Sequence, residues 1–173
     1  GADAVVMAPL VWTPPFLKWR SYNLSTVPVE DEWEGVPVWR PRRLGFGKHL
    51  LRWAYPYYPF FYQRAISPYV EKLWQEKPFD IIESHAAIVD GRVGAALAEK
   101  YDVPNVLYIH GHSFLATPRL GPKVVRCVQE SLRQANRIVL SGPWMKNRAK
   151  QNPWNCGEQL LSTIPYGVAL DQI

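Results

Sequence analysis

The chain has 173 residues, 47% of them hydrophobic and 20% charged, which is enough apolar material for one packed core and excludes wholesale disorder. A formal net charge of +5 fits anionic partners, whether phosphate, acidic lipid or nucleic acid, and fits an ordinary solvated surface equally well. No stretch reaches the ~18 uninterrupted apolar residues of a membrane span, and two cysteines outside any CxxC or Cys/His cluster exclude a disulfide framework and point to reduced thiols in a cytosolic setting.

The chain starts at Gly1 rather than methionine and shows no signal peptide, so it reads as a piece of a longer protein. Residues 3–8 read as a short buried strand that ends at Pro9. Residues 10–35 hold Pro14, Pro15, Pro28 and Gly35 without a sustained period and read as loop. Val36 to Arg40 reads as a second strand, and Pro37 within it argues for a sheet edge. Residues 41–55 are basic, glycine-containing and aromatic. Phe60 to Gln75 has helical spacing, with Pro68 as the expected break.

After Pro78 the pattern becomes regular. Phe79 to Glu83 reads as a strand. Asp90 is expected to cap a helix whose apolar stripe is Val93, Ala96, Leu97 and Tyr101. Pro104 to Ile109 reads as a strand. Pro122 opens a helix with Val124, Cys127, Val128, Leu132 and Ala135 on one face. Arg137 to Leu140 is a strand, Pro143 opens a short helix, and Leu160 to Ile164 is the last strand. This alternation predicts an α/β fold: a Rossmann-like parallel sheet with helices on both faces.

In open α/β sheets, ligands gather at the carboxyl ends of the strands. The residues there are Ser84-His85, His110-Gly-His112-Ser113, Ser141-Gly142 and Pro165-Tyr-Gly167. Four chemistries can be weighed against them. Gly111-His-Ser113 begins like a nucleophile elbow, but Leu115 stands where a second glycine is needed and no histidine follows Ser113. His85, His110 and His112 could supply three metal ligands, though a turn at Gly111 breaks that geometry. No G-x-G-x-x-G or P-loop is visible, which disfavours a nicotinamide enzyme or an NTPase. A histidine can also serve as a polar group in a substrate cleft, or simply be satisfied by backbone carbonyls.

The order of motifs resembles glycosyltransferase family 4. Phe79-Asp-Ile-Ile-Glu-Ser-His85 is similar to the family's FDIIHAH strand, and Asp90 to Ala98 to its small-residue helix. Val103-Pro-Asn-Val-Leu-Tyr-Ile-His-Gly111 is similar to its gvPvvltvHG. Ala135 to Ser141 resembles adrvivvS, and Ile164 to Ile173 resembles iPNGVDldrF. Tyr166, Ala169 and Ile173 depart from the family's Asn, Asp and Phe, and Glu83-Ser-His85 keeps only the last histidine of HAH.

The resemblance implies one half of a GT-B fold. Residues 1–173 would form a single, incomplete Rossmann-like N-terminal domain on the acceptor side. The donor-binding domain with its E-x7-E pair would be absent, and the isolated chain inactive. It implies a retaining hexosyltransferase that moves a sugar from a nucleotide-sugar donor to a glycan, lipid-linked or other hydroxyl acceptor, with no metal and no cofactor. His110 would stand at the reaction centre. Gly111, His112, His85, Asp90, Ser141 and Gly167 would contact substrate.

Arg40, Arg42, Arg43, Lys48 and Arg52 are interleaved with Trp39, Phe46, Trp53, Tyr55, Tyr57 and Tyr58. This mixture suits an anionic acceptor or a membrane surface, hence a cytoplasmic protein with peripheral contact at the inner face of the membrane. No nucleic-acid partner is expected. The competing reading is a non-catalytic α/β module that binds anionic glycan, lipid or nucleic acid.

Overall fold

The computed structural model describes residues 3–12, 26–44 and 55–165, and the chain divides into two units, Gly1–Pro78 and Phe79–Ile173. In the first, β1 (Val6–Met7) and β2 (Leu10–Trp12) pair in parallel with β4 (Val36–Trp39) and β5 (Arg42–Leu44), respectively. Pro9 and Pro41 interrupt both lines. The backbone bridges the gap, with Ala8 N–H donating to the Trp39 carbonyl and Leu10 N–H to that of Pro41. The expected strand over residues 3–8 therefore resumes past Pro9. It is also not buried: Val6 is 43% exposed.

The expected loop over 10–35 holds a further strand, β3 (Glu30–Trp33), antiparallel to β4. Glu34 and Gly35, with φ of 51° and 82°, join them as the two left-handed residues of a tight hairpin. β4 lies between β1 and β3, so Pro37 is not on an edge strand. Two local facts accommodate it. Arg40 N–H donates to the Val29 carbonyl, and by alternation Pro37 falls in a non-hydrogen-bonded pair with Glu32. On the other side, β1 pairs only from Val38 onward.

Helix α1 (Tyr58–Glu76) runs through Pro68 without a break. One missing N–H costs the helix a single bond, and the turns on either side continue it. Its buried residues are Tyr58, Ile66 and Val70. Cations over rings hold this unit together as well: Arg43 lies 5.2 Å from the Tyr58 ring and Lys72 lies 5.9 Å from that of Trp39.

The second unit runs β6 (Ile82–His85), α2 (Asp90–Tyr101), β7 (Asn105–Ile109), α3 (Gly111–Ala116), α4 (Pro122–Gln134), β8 (Arg137–Leu140), α5 (Pro143–Lys150) and β9 (Leu161–Thr163). The strands form one parallel sheet in the order β6-β7-β8-β9, flanked by helices. The first strand sits three residues later than expected, because pairing begins where Ile82 N–H meets the Pro104 carbonyl.

Alternation along β7 buries Asn105, Leu107 and Ile109. Helix α2 approaches this face closely. A Cβ on Gly91 would lie 3.0 Å from Leu107 Cδ1, and one on Gly94 would lie 1.9 Å from Ser84 Oγ. The small residues of α2 are therefore a packing requirement. Along α4, Val124, Val128 and Leu132 are buried as the spacing predicts. Ser131 joins them, its hydroxyl donating to the Cys127 carbonyl at 3.1 Å.

Candidate active site

Parallel pairing sets His85 beside Tyr108 in register. His110 follows two residues after Tyr108, and Glu83 precedes His85 by two, so the pleat sends all four side chains to the same face. That face is the opposite of the one that carries Ser84 and Leu107. Glu83 and His85 are 56% and 55% exposed at the side chain, and His110 is half-buried.

The three rings form a cluster. Centroids of His85 and Tyr108 lie 5.4 Å apart, those of His85 and His110 5.4 Å, and those of Tyr108 and His110 5.2 Å. His85 Nδ1 and His110 Nε2 are 3.2 Å apart, and His85 Nε2 is 3.2 Å from Glu83 Oε1. The Tyr108 hydroxyl donates to the Ile164 carbonyl at 3.1 Å, which ties the cluster to the segment after β9. Burial, and then the charge of His85, hold the His110 imidazole below its ordinary pKa. The ring is therefore neutral at neutral pH and can both donate and accept.

Gly111 does not begin a simple turn. It opens α3, with His110 in extended backbone at the N-cap position, and Pro118 follows in a 3-10 turn over Thr117–Leu120. Phe114 anchors this short helix. It is fully buried and stacks on Trp154 with centroids 5.2 Å apart. A Cβ built on Gly111 or on Gly142 meets nothing within 4 Å among the described residues, so both strand ends are open on that side.

Ser141 stands at the end of β8, but its hydroxyl turns to Met145 Sδ at 3.0 Å, and Gly142 takes the N-cap position of α5. Asp90 is the first residue of α2 rather than its cap; Val89 holds that place. The Asp90 carboxylate still lies in the first turn, where the helix dipole favours it. The side chain of His112, and Gly167, Lys48 and Arg52, lie outside the described residues.

The three described arginines of the basic segment each have protein partners. Arg40 pairs with Asp31 at 2.8 Å, Arg42 donates to the Val27 carbonyl, and Arg43 lies over Tyr58. The Asp31 carboxylate is held below its ordinary pKa by the Glu32 N–H and by Arg40. Among the described residues no group of three or more His, Cys, Asp or Glu could hold a metal, and no helix is long and apolar enough to cross a membrane. Both thiols are unsuited to nucleophilic work: burial raises Cys127 and pushes Cys156 up to about 11.

Sequence reasoning named His85 and His110 but missed Glu83 and Tyr108. Their signal was present: each precedes a singled-out histidine by two residues on a strand, and so shares its face.

A parallel sheet flanked by helices, with polar and histidine side chains along its carboxyl edge, is the Rossmann-like architecture of one half of a GT-B fold. The family model of Glycosyltransferase Family 4 matches residues 29–172, and the chain belongs to that family. It is 26% identical over 178 residues to TuaC of Bacillus subtilis (strain 168), a protein named as a teichuronic acid biosynthesis glycosyltransferase. The alignment covers 99% of this chain and 43% of the relative, so the chain spans less than half of that protein's length.

Proposed function

We propose that the chain is the acceptor-side half of a retaining, metal-independent hexosyltransferase that uses a nucleotide sugar and acts at the cytoplasmic face of a membrane. The observation that carries the reading is the His85–Tyr108–His110 cluster at the carboxyl edge of the parallel sheet. A neutral imidazole there can bond a sugar hydroxyl in the ground state and steady charge that develops beside the leaving phosphate. Gly111 leaves room for a close approach of substrate to the backbone. Asp90, Ser141, His112 and Gly167 complete the substrate contacts in this reading.

The acceptor class follows from the basic, aromatic first unit. Arg40, Arg42 and Arg43 with Trp39 and Tyr58 suit an acidic or lipid-linked glycan, and the relative is named for teichuronic acid biosynthesis. Donor binding belongs to a second domain, so residues 1–173 alone should not turn over nucleotide sugars.

The test is sugar transfer by the full-length protein from UDP- and GDP-sugars to lipid-linked and free glycan acceptors, with the anomeric configuration of the product read by NMR. Retention without dependence on a chelator supports the proposal. Inversion, loss of activity in chelator, or robust turnover by residues 1–173 contradicts it.

A further inference from the structure

The strand-edge cluster contains a carboxylate that the reading above does not use. Glu83 Oε1 lies 3.2 Å from His85 Nε2. The other nitrogen of the same ring, Nδ1, lies 3.2 Å from Nε2 of His110. A neutral imidazole carries one proton, and a carboxylate can only accept. The proton of neutral His85 is therefore drawn to Nε2, toward Glu83. The reverse tautomer would set a lone pair against a negative oxygen.

With its proton on Nε2, His85 holds a lone pair on Nδ1. The contact with His110 is then a hydrogen bond only when His110 Nε2 donates, which leaves the His110 lone pair on Nδ1. The Tyr108 hydroxyl donates its own proton to the Ile164 carbonyl.

We propose that Glu83 is a positioning residue that acts through His85 to fix His110 as the Nε2–H tautomer, so that His110 offers a hydrogen-bond acceptor, Nδ1, to a sugar hydroxyl. The proposal rests on the reading of His110 as a substrate-contacting group. Burial, the larger cause that holds the ring below its ordinary pKa, keeps that acceptor present at neutral pH. Protonation would convert Nδ1 to a donor and abolish it. Water competes at the exposed Glu83, so the expected contribution is at the modest end for a residue that orients another, roughly 10-fold in rate.

The experiment is a long-range proton–nitrogen correlation spectrum of the full-length protein labelled with nitrogen-15 histidine, recorded above the histidine titration. In the wild type both His85 and His110 should carry the proton on Nε2. Glu83→Ala should release both rings to mixtures that include the Nδ1–H form and lower kcat roughly 10-fold. Glu83→Gln, whose amide oxygen still accepts, should keep the wild-type pattern and most of the rate. A wild-type spectrum with the His110 proton on Nδ1, or a Glu83→Ala spectrum unchanged from wild type, overturns the proposal, and the first of these needs no variant to fold. A protein with the stated tautomers that transfers no sugar would instead overturn the glycosyl-transfer reading and leave the role of Glu83 toward His110 standing.

Discussion

The second unit holds its shape through four parallel strands with continuous register and a core of fully buried residues such as Leu107, Ile109, Ile138 and Leu140. The first relies on strands of two to four residues, a hairpin whose first strand is exposed and mostly acidic, and cations laid over aromatic rings. Under the proposed function, the parallel sheet would fix the reacting groups at its edge, and the arginine- and aromatic-rich first unit would meet the acceptor.

Truncating one large aromatic in each unit tests this contrast most severely. Phe114→Ala empties a fully buried site against Trp154 and should cost about 3–5 kcal/mol of stability. Trp33→Ala, at a position 68% exposed, should stay within about 0.5 kcal/mol. Urea unfolding of both variants checks the pair. Similar losses would mean that the first unit is as tightly packed as the second.

A smaller effect is expected at the α2–sheet contact. Gly94→Ala places a methyl against Ser84 Oγ and disturbs its 2.9 Å hydrogen bond to Asn105. The predicted loss is about 1–3 kcal/mol, although alanine favours a helix by itself. A neutral or stabilised variant would show that α2 lies further from β6.

The smallest effect concerns pH. The folded pKa of His110 lies below its ordinary value of 6.5, so the unfolded chain takes up this proton first. Its contribution to stability is unaffected above that value and declines as pH falls through it, until the folded form titrates too. Among the described residues, Glu83, His85 and Tyr108 face it. The unfolding midpoint should drop between about pH 7 and about pH 5, and less so in His110→Gln. Equal drops in both proteins would remove His110 as the cause.

The same contrast explains what the sequence made legible. Alternating apolar runs and helix-opening prolines placed β7, β8, α4 and α5 closely, because a buried parallel strand must be apolar and a helix must show its stripe. They could not place β3, where Glu30-Asp-Glu carries little strand preference and Glu34-Gly35 is not a favoured hairpin dipeptide. They misjudged Pro37 and Pro68, whose missing N–H groups are harmless only because of pairing and helix length that lie outside their local sequence. Helix α3 was missed for a similar reason. Its stability comes from Phe114 on Trp154, a contact 40 residues away in sequence.

At the site, strand order alone brought His85, His110 and Ser141 to one edge. The orientation of each side chain needed the structure. Ser141 turned out to bond Met145, and the carboxylate next to His85 came from the strand itself.

The central claim is that His110 acts in the reaction, whereas the basic first unit only holds the acceptor. Steady-state kinetics of His110→Ala in the full-length protein test it most directly, with His112→Ala and Arg43→Ala in parallel and folding checked by circular dichroism. The account predicts a fall in kcat of ~10²–10³, about 2.7–4 kcal/mol, at His110, and a raised acceptor KM with kcat held at Arg43. Small, equal effects at His110 and His112, or a larger loss of kcat at His112, would contradict it.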